Sequence, residues 1–228
     1  MLLLGVTTSS PVSGIALWED GGLLDRDIFP GARSCVEELV PRIEKMIQRR
    51  NIGLKDLDRF AVDAGPGGLT GIKIGLVAVR TLAQVLEKPV APVSSLAALS
   101  MGAPGDAELA LAVAPCTRND FFAALYRRVP GGVECVEKDA LHTPETLAAL
   151  LEGVRGGLVV TGPAQDRVRD VAASVPGLEA GYAGADYENV DAGVICELGA
   201  VAQALHFLQV QPSYLCLTNA ERNFGIRA

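Results

Sequence analysis

Histidine is nearly missing: His142 and His206 are the only two, far apart and in no H-x-x-x-H pair. A metal site built on paired helical histidines is therefore excluded. Cysteine is sparse and unpatterned. Cys35, Cys116, Cys135, Cys196 and Cys216 are widely spaced without a C-x-x-C pair, and their odd number suits reduced thiols better than a disulfide framework. Positive charge is short as well, with 20 Lys and Arg against 27 Asp and Glu and a net charge of -7. A broad phosphate-neutralising surface is excluded, so any part in nucleic-acid chemistry has to be indirect. No export signal is expected, because the apolar start Met1–Val6 is short, lacks a basic flank and runs into Thr7, Thr8, Ser9 and Ser10, which reads as a buried first strand. No apolar run approaches the roughly 20 residues of a membrane helix, and a soluble, cytoplasmic chain without a membrane partner is the expectation.

What is present is core-forming material, 49% hydrophobic residues in a chain of 228, enough for one large domain or two small ones. Leu2–Val6, Gly14–Trp18 and Leu23–Phe29 read as a three-strand meander. Val36, Leu39, Val40, Ile43 and Ile47 recur at helical spacing and predict a helix over Cys35–Arg50. A strand at Phe60–Ala64, a glycine-rich loop, an apolar helix over Ile72–Leu86, a short strand near Val90 and a helix after Ser94-Ser95 follow. Met101–Asp106 breaks the pattern as a linker. The second half repeats the order: strands at Leu109–Ala114, Phe121–Arg127 and Val133–Val136, a helix opened by Thr143-Pro144, a strand at Leu158–Thr161 and a helix over Gln165–Ser174. A closing helix carries Val194, Ile195, Leu198, Val201, Ala202 and Leu205, with His206 on it and Asp191 as its cap. Two units of the same order predict a duplicated α/β fold of the actin-like, sugar-kinase type rather than one doubly wound sheet. The expected division is 1–103, 104–190, and a closing helix and tail over 191–228 that pack back on the first unit.

Gly65 to Gly75 reads G-P-G-G-L-T-G-I-K-I-G and is followed by an apolar helix, Lys88-Pro89-Val90 and Val93-Ser94-Ser95-Leu96. This stretch resembles the TsaB (YeaZ-type) family, whose pattern is G-P-G-S-F-T-G-[LI]-R-I-G, a helix, then V-S-S-L. Weaker similarity extends over Arg33–Pro41, Arg118–Tyr126 and Gln211–Leu215. The resemblance implies a duplicated actin-like fold and a non-catalytic subunit of the machinery that places threonylcarbamoyl on an adenosine of tRNA. Its implied partners are a TsaD-type catalytic subunit, met through helices, a TsaE-type ATPase docking on the pair, or a second copy of this chain, with tRNA contacted only indirectly. No tightly bound cofactor is implied, although a nucleotide at the interface with the partner is compatible with it.

Candidate interface residues are Arg33, Cys35, Val36, Leu39, Ile43 and Ile47 on one helix and Ile72, Leu76, Val79 and Leu82 on the other. The second helix is apolar nearly all round, so it is buried by its own domain or by a partner, and periodicity does not settle whether Leu76 or Val79 faces outward. The loop candidates Gly65, Pro66, Gly67, Gly68, Thr70 and Gly71 serve either an anion at the helix start or close packing. No Lys-Ser/Thr pair of a P-loop is present. The sequence departs from the family pattern at Thr7, where an acidic residue is usual, at Pro115 in place of Asp, and at Cys35 in place of His. These changes weaken any case for metal-assisted hydrolysis, and the alternatives are an independent actin-fold ATPase or kinase and a homodimeric scaffold with no tRNA role. Cys35, at a helix start beside Arg33, is in a setting that lowers a thiol pKa. No histidine is near it in sequence, and an interface or core thiol is the preferred reading.

Overall fold

The computed structural model describes residues 1–31 and 33–216, except for the side chains of Arg33 and Ser34. Its first half runs β1 (Leu2–Thr7), β2 (Val12–Glu19), β3 (Gly22–Pro30), α1 (Arg33–Arg49), β4 (Arg59–Asp63), α2 (Leu69–Leu86), β5 (Val90–Val93) and α3 (Ser95–Gly102). The second half runs β6 (Leu109–Pro115), β7 (Phe121–Val129), β8 (Gly132–His142), α4 (Pro144–Glu152), β9 (Leu158–Thr161), α5 (Gln165–Ala173), β10 (Ala180–Tyr182) and α6 (Ala192–Val201). The two sheets have orders β3-β2-β1-β4-β5 and β10-β9-β6-β7-β8. Read from its antiparallel edge, the second is β8-β7-β6-β9-β10, the same order strand for strand. The fold is a duplicated actin-like fold.

Strand alternation explains how each sheet serves two helix layers. On the outer face of the first sheet, Leu2, Leu4 and Val6 of β1, Ile15 and Leu17 of β2, and Phe60 and Val62 of β4 meet Leu39, Ile43 and Met46 of α1 and Ile72, Leu76 and Val79 of α2. Its inner face is built of small residues, Ala16, Ala61 and Ala91 beside Leu3, and lies against Ile195 and Cys196 of α6. The small residues set the distance: a Cβ on Gly199 would come within 2.4 Å of Ala61 Cβ, and one on Gly5 within 2.4 Å of Cys196 Sγ. Helix α6 packs on β1, β2, β4 and β5, whereas α3 packs on β6, β7 and β8. Each half thus lends its last helix to the other half's sheet. By sequence position α3 falls in the first 103 residues, yet its contacts are with the second sheet.

Several elements differ from the expectation drawn from the sequence. The closing helix ends at Val201, and His206 instead caps a short 3-10 turn by accepting from Leu208 N at 3.4 Å. Leu205 pairs with Val90 as an isolated bridge at the β5 edge. Strand β10 lies in Ala180–Tyr182, where the sequence has no apolar run to announce it. Among the described residues α2, with 18 residues, is long and apolar enough to cross a membrane by length and composition, contrary to expectation. Its Ile72, Leu76, Val79 and Ala83 stripe packs in the core on the first sheet, which accounts for part of that apolar character. The tail 217–228 lies outside the described residues.

Candidate docking face and glycine loop

Helices α1 and α2 lie side by side on the outer face of the first sheet. Pro41 sits inside α1, so the Glu37 carbonyl loses its usual helical donor. The helix is fastened to β3 by charge instead. Arg42 binds Glu38 at 2.6 Å and Asp27 at 3.0 Å, and its guanidinium lies 4.7 Å from the centre of the Phe29 ring. Arg49 and Arg50 reach Asp25 at 2.6 and 2.9 Å. Hydrogen bonds from these two guanidinium groups hold the Asp25 carboxyl down to about 2.

Pinned in this way, α1 turns Cys35, Leu39, Ile43 and Ile47 into the core and leaves Val36, 64% exposed, and Val40 in solvent. Helix α2 buries Ile72, Leu76 and Val79, while Val77 is 63% and Val85 75% exposed. Between the helices runs an open groove of about 370 Å³ lined by Val36, Leu39, Val40, Lys73, Ile74, Val77 and Ala78.

The structure places most of the interface residues read from the sequence on the sides of α1 and α2 that face the sheet. Cys35, Leu39, Ile43, Ile47, Ile72, Leu76 and Val79 are used up inside the domain, because the strongest helical repeat marks the side facing the sheet. Val36 does face outward, Leu82 is half-buried, and the side chain of Arg33 lies outside the described residues. Val40, Val77 and Val85 face solvent, and Ile74 is half-buried in the groove; none of them is among the candidates read from the sequence. Their signal was available as apolar residues left over beside the 35-39-43-47 and 72-76-79-83 stripes. Cys35 is fully buried, and loss of solvent pushes its thiol pKa up, so the low-pKa setting expected from Arg33 is not found.

The glycine loop is pressed onto the turn between β1 and β2. A Cβ on Gly71 would lie 1.8 Å from the Thr8 carbonyl oxygen, and one on Gly75 2.4 Å from Thr8 Oγ1. Gly68 N donates to the Ser9 carbonyl at 2.9 Å, and Thr8 Oγ1 donates to the Gly71 carbonyl at 2.7 Å. Gly65 takes a φ of +94, a conformation that suits glycine. Pro66 is buried, while Gly68 and Thr70 are exposed. Gly71 and Gly75 are thus needed for close backbone approach.

Behind the loop lies a residue that sequence reasoning passed over. Asp63, the last residue of β4, is fully buried. Its Oδ2 accepts from Thr7 Oγ1 at 2.7 Å and from Ser9 Oγ, and its Oδ1 accepts from Gly65 N at 3.0 Å and from Ser95 Oγ. The parallel register pairs Val6 with Val62, so Thr7 and Asp63 are neighbours at the strand ends. The carboxylate expected at position 7 is supplied across the strand pair. Its oxygens are already engaged by these donors, and among the described residues no three His, Cys, Asp or Glu side chains gather where they could hold a metal ion. His142 and His206 sit at separate places, at the end of β8 and at the 3-10 cap, and burial lowers the His142 pKa.

The second half has a counterpart to the loop. Gly162, φ +101, precedes Pro163 after β9 and presses on the Val113 carbonyl, to which a Cβ would come within 2.4 Å. Gly65-Pro66 after β4 and Gly162-Pro163 after β9 occupy equivalent places.

The family model described as "TsaD: tRNA N6-adenosine threonylcarbamoyltransferase" matches residues 30–178, more than half of the chain. The chain is 26% identical over 166 residues to the tRNA threonylcarbamoyladenosine biosynthesis protein TsaB of Escherichia coli, covering 71% of each. It is 46% identical over 67 residues to a tRNA N6-adenosine threonylcarbamoyltransferase of Methylorubrum extorquens, but these are 29% of this chain and 19% of that protein. Its fold superposes on YeaZ from Pseudomonas aeruginosa with a TM-score of 0.77 at 22% identity, over 94% of this chain and 99% of the other. The chain belongs to the TsaD/TsaB family and within it is of the TsaB (YeaZ) type.

Proposed function

We propose that this protein is a non-catalytic subunit in the formation of threonylcarbamoyladenosine in tRNA, and that it works by docking a TsaD-type transferase on the outward face of α1 and α2. The observation that carries the reading is the exposed row Val36, Val40, Val77 and Val85 beside an open apolar groove, a patch of the kind that marks a protein contact. Its small, rigid side chains lose little entropy on binding. The engaged carboxylate of Asp63 and the lack of a paired-histidine site support leaving the transfer step to the partner. The net charge of -7 supports tRNA contact through the partner rather than through this chain. A TsaE-type ATPase docking on the pair, and the absence of a tightly bound cofactor on the chain alone, belong to the same reading.

The test is reconstitution: transferase, tRNA, threonylcarbamoyl-adenylate and the ATPase, with and without this chain. Activity that depends on the chain, together with a co-eluting complex, is expected. Full activity without it, or elution only as a dimer of itself that ignores the transferase, would refute the reading in favour of a homodimeric scaffold.

A further inference from the structure

Among the described residues Asp63 is the only charged side chain that is fully buried. A buried carboxylate is costly unless its oxygens are bonded, and here they are bonded by three hydroxyls and one backbone N–H from three separate segments. Thr7, at the end of β1, and Ser9 in the turn that follows it form one segment, Gly65 belongs to the glycine loop and Ser95 to the start of α3. The same turn bears directly on α2. Thr8, between the two turn ligands, donates to the Gly71 carbonyl and leaves no room for a Cβ at Gly71 or Gly75. The path from the carboxylate to the helix is therefore short and rigid: Asp63, the Thr7–Ser9 turn, then the first two turns of α2, which carry Ile74 and lead into Val77.

We propose that Asp63 is a positioning residue, whose carboxylate sets the height of the first turns of α2 and thereby the placement of Ile74 and Val77 for docking. The inference rests on the docking reading given above. It also makes a swap possible. Thr7 and Asp63 are neighbours in the parallel β1–β4 pair and their side chains meet, so the variant Thr7→Asp/Asp63→Thr keeps one carboxylate and one hydroxyl in the same cluster.

The experiment measures the affinity of the full chain for the TsaD-type transferase by calorimetry, with thermal melting and amide hydrogen exchange on the chain alone. Asp63→Asn turns an amide NH2 toward donors that need an acceptor. It is expected to weaken docking tenfold or more and to speed exchange at Ile72–Gly75 well above that at Val79–Leu86. The swap is expected to bind within threefold of the original chain. A folded Asp63→Asn that binds within twofold, or that speeds exchange evenly along α2, overturns the proposal. If Asp63→Asn does not fold, the swap decides: binding within threefold supports the proposal, and a swap that is unfolded or tenfold weaker overturns it. Should the unaltered chain fail to bind the transferase, the docking reading has failed, and the exchange comparison alone still tells whether Asp63 holds the first turns of α2.

Discussion

Replacing Val77 by Glu separates docking from folding. Val77 is 63% exposed on α2, and a substitution at an exposed helical site away from caps and networks usually changes stability by no more than about 0.5 kcal/mol. In a desolvated contact the same carboxylate is unpaired and costs about 2 kcal/mol or more, a loss of affinity of about 30-fold. One position earlier the balance inverts. Leu76 is 4% exposed and packed in the first core. An uncompensated charge there costs several kcal/mol out of a total stability of about 5–15 kcal/mol, so Leu76→Glu is expected to melt the chain before it tests docking. The assay is calorimetric titration of each variant with the TsaD-type transferase beside a thermal melt. A native melt with strongly reduced binding for Val77→Glu and a collapsed melt for Leu76→Glu are expected. Unchanged affinity for Val77→Glu and Val36→Glu together would show that the partner docks on another face.

The remaining predictions need only the isolated chain. Gly71→Ala should destabilise it, because a Cβ 1.8 Å from the Thr8 carbonyl oxygen clashes with backbone and costs about 3 kcal/mol, the upper end of overpacking, more than the ~1 kcal/mol that Ala gains over Gly in a helix; Gly132→Ala, with open space around it, is the control in a urea melt. Asp25, held down to about 2 by Arg49 and Arg50, contributes stability that is complete above its ordinary value of 3.8 and is lost as pH falls from about 4 through about 2. Urea midpoints across that window should fall less steeply for Asp25→Asn. Filter binding should find only weak tRNA affinity for the lone chain, weaker still as salt rises. Calorimetry with magnesium and ATP should detect neither tight binding nor hydrolysis at enzyme-like rates of about 1 per second.

Most of the architecture was legible because its signals are local. The meanders show as apolar runs broken by Glu19-Asp20-Gly21-Gly22 and Gly131-Gly132, and Thr143 and Asp191 announce their helices by side chains that do cap them, accepting from Thr146 N and Gly193 N. The duplication was legible only as an order of elements. A sharper sign, Gly65-Pro66 and Gly162-Pro163 after equivalent strands, takes its meaning from the strand it follows. The placement of α3 on the second sheet could not be read, since a short apolar helix carries no mark of which of two small-residue faces it will cover.

Periodicity singled out the side of each helix that faces its own sheet, not the side left open to solvent. A helical repeat reports where apolar side chains are dense, and density is greatest toward the helix's own sheet, so Leu39, Ile43, Leu76 and Val79 outshone Val40 and Val77 although only the latter pair faces outward. What distinguishes an outward valine is that it is apolar with no internal partner, a property of the folded surface. The site at Asp63 failed differently. A sequence pattern assigns the carboxylate to position 7 alone, whereas a parallel sheet brings the side chains of two positions 56 residues apart within 2.7 Å. The chemical requirement there is for one acceptor among several donors, and either strand can provide it. Substitution at one of two cross-strand neighbours is therefore weak evidence for loss of a function until the other neighbour has been read as well.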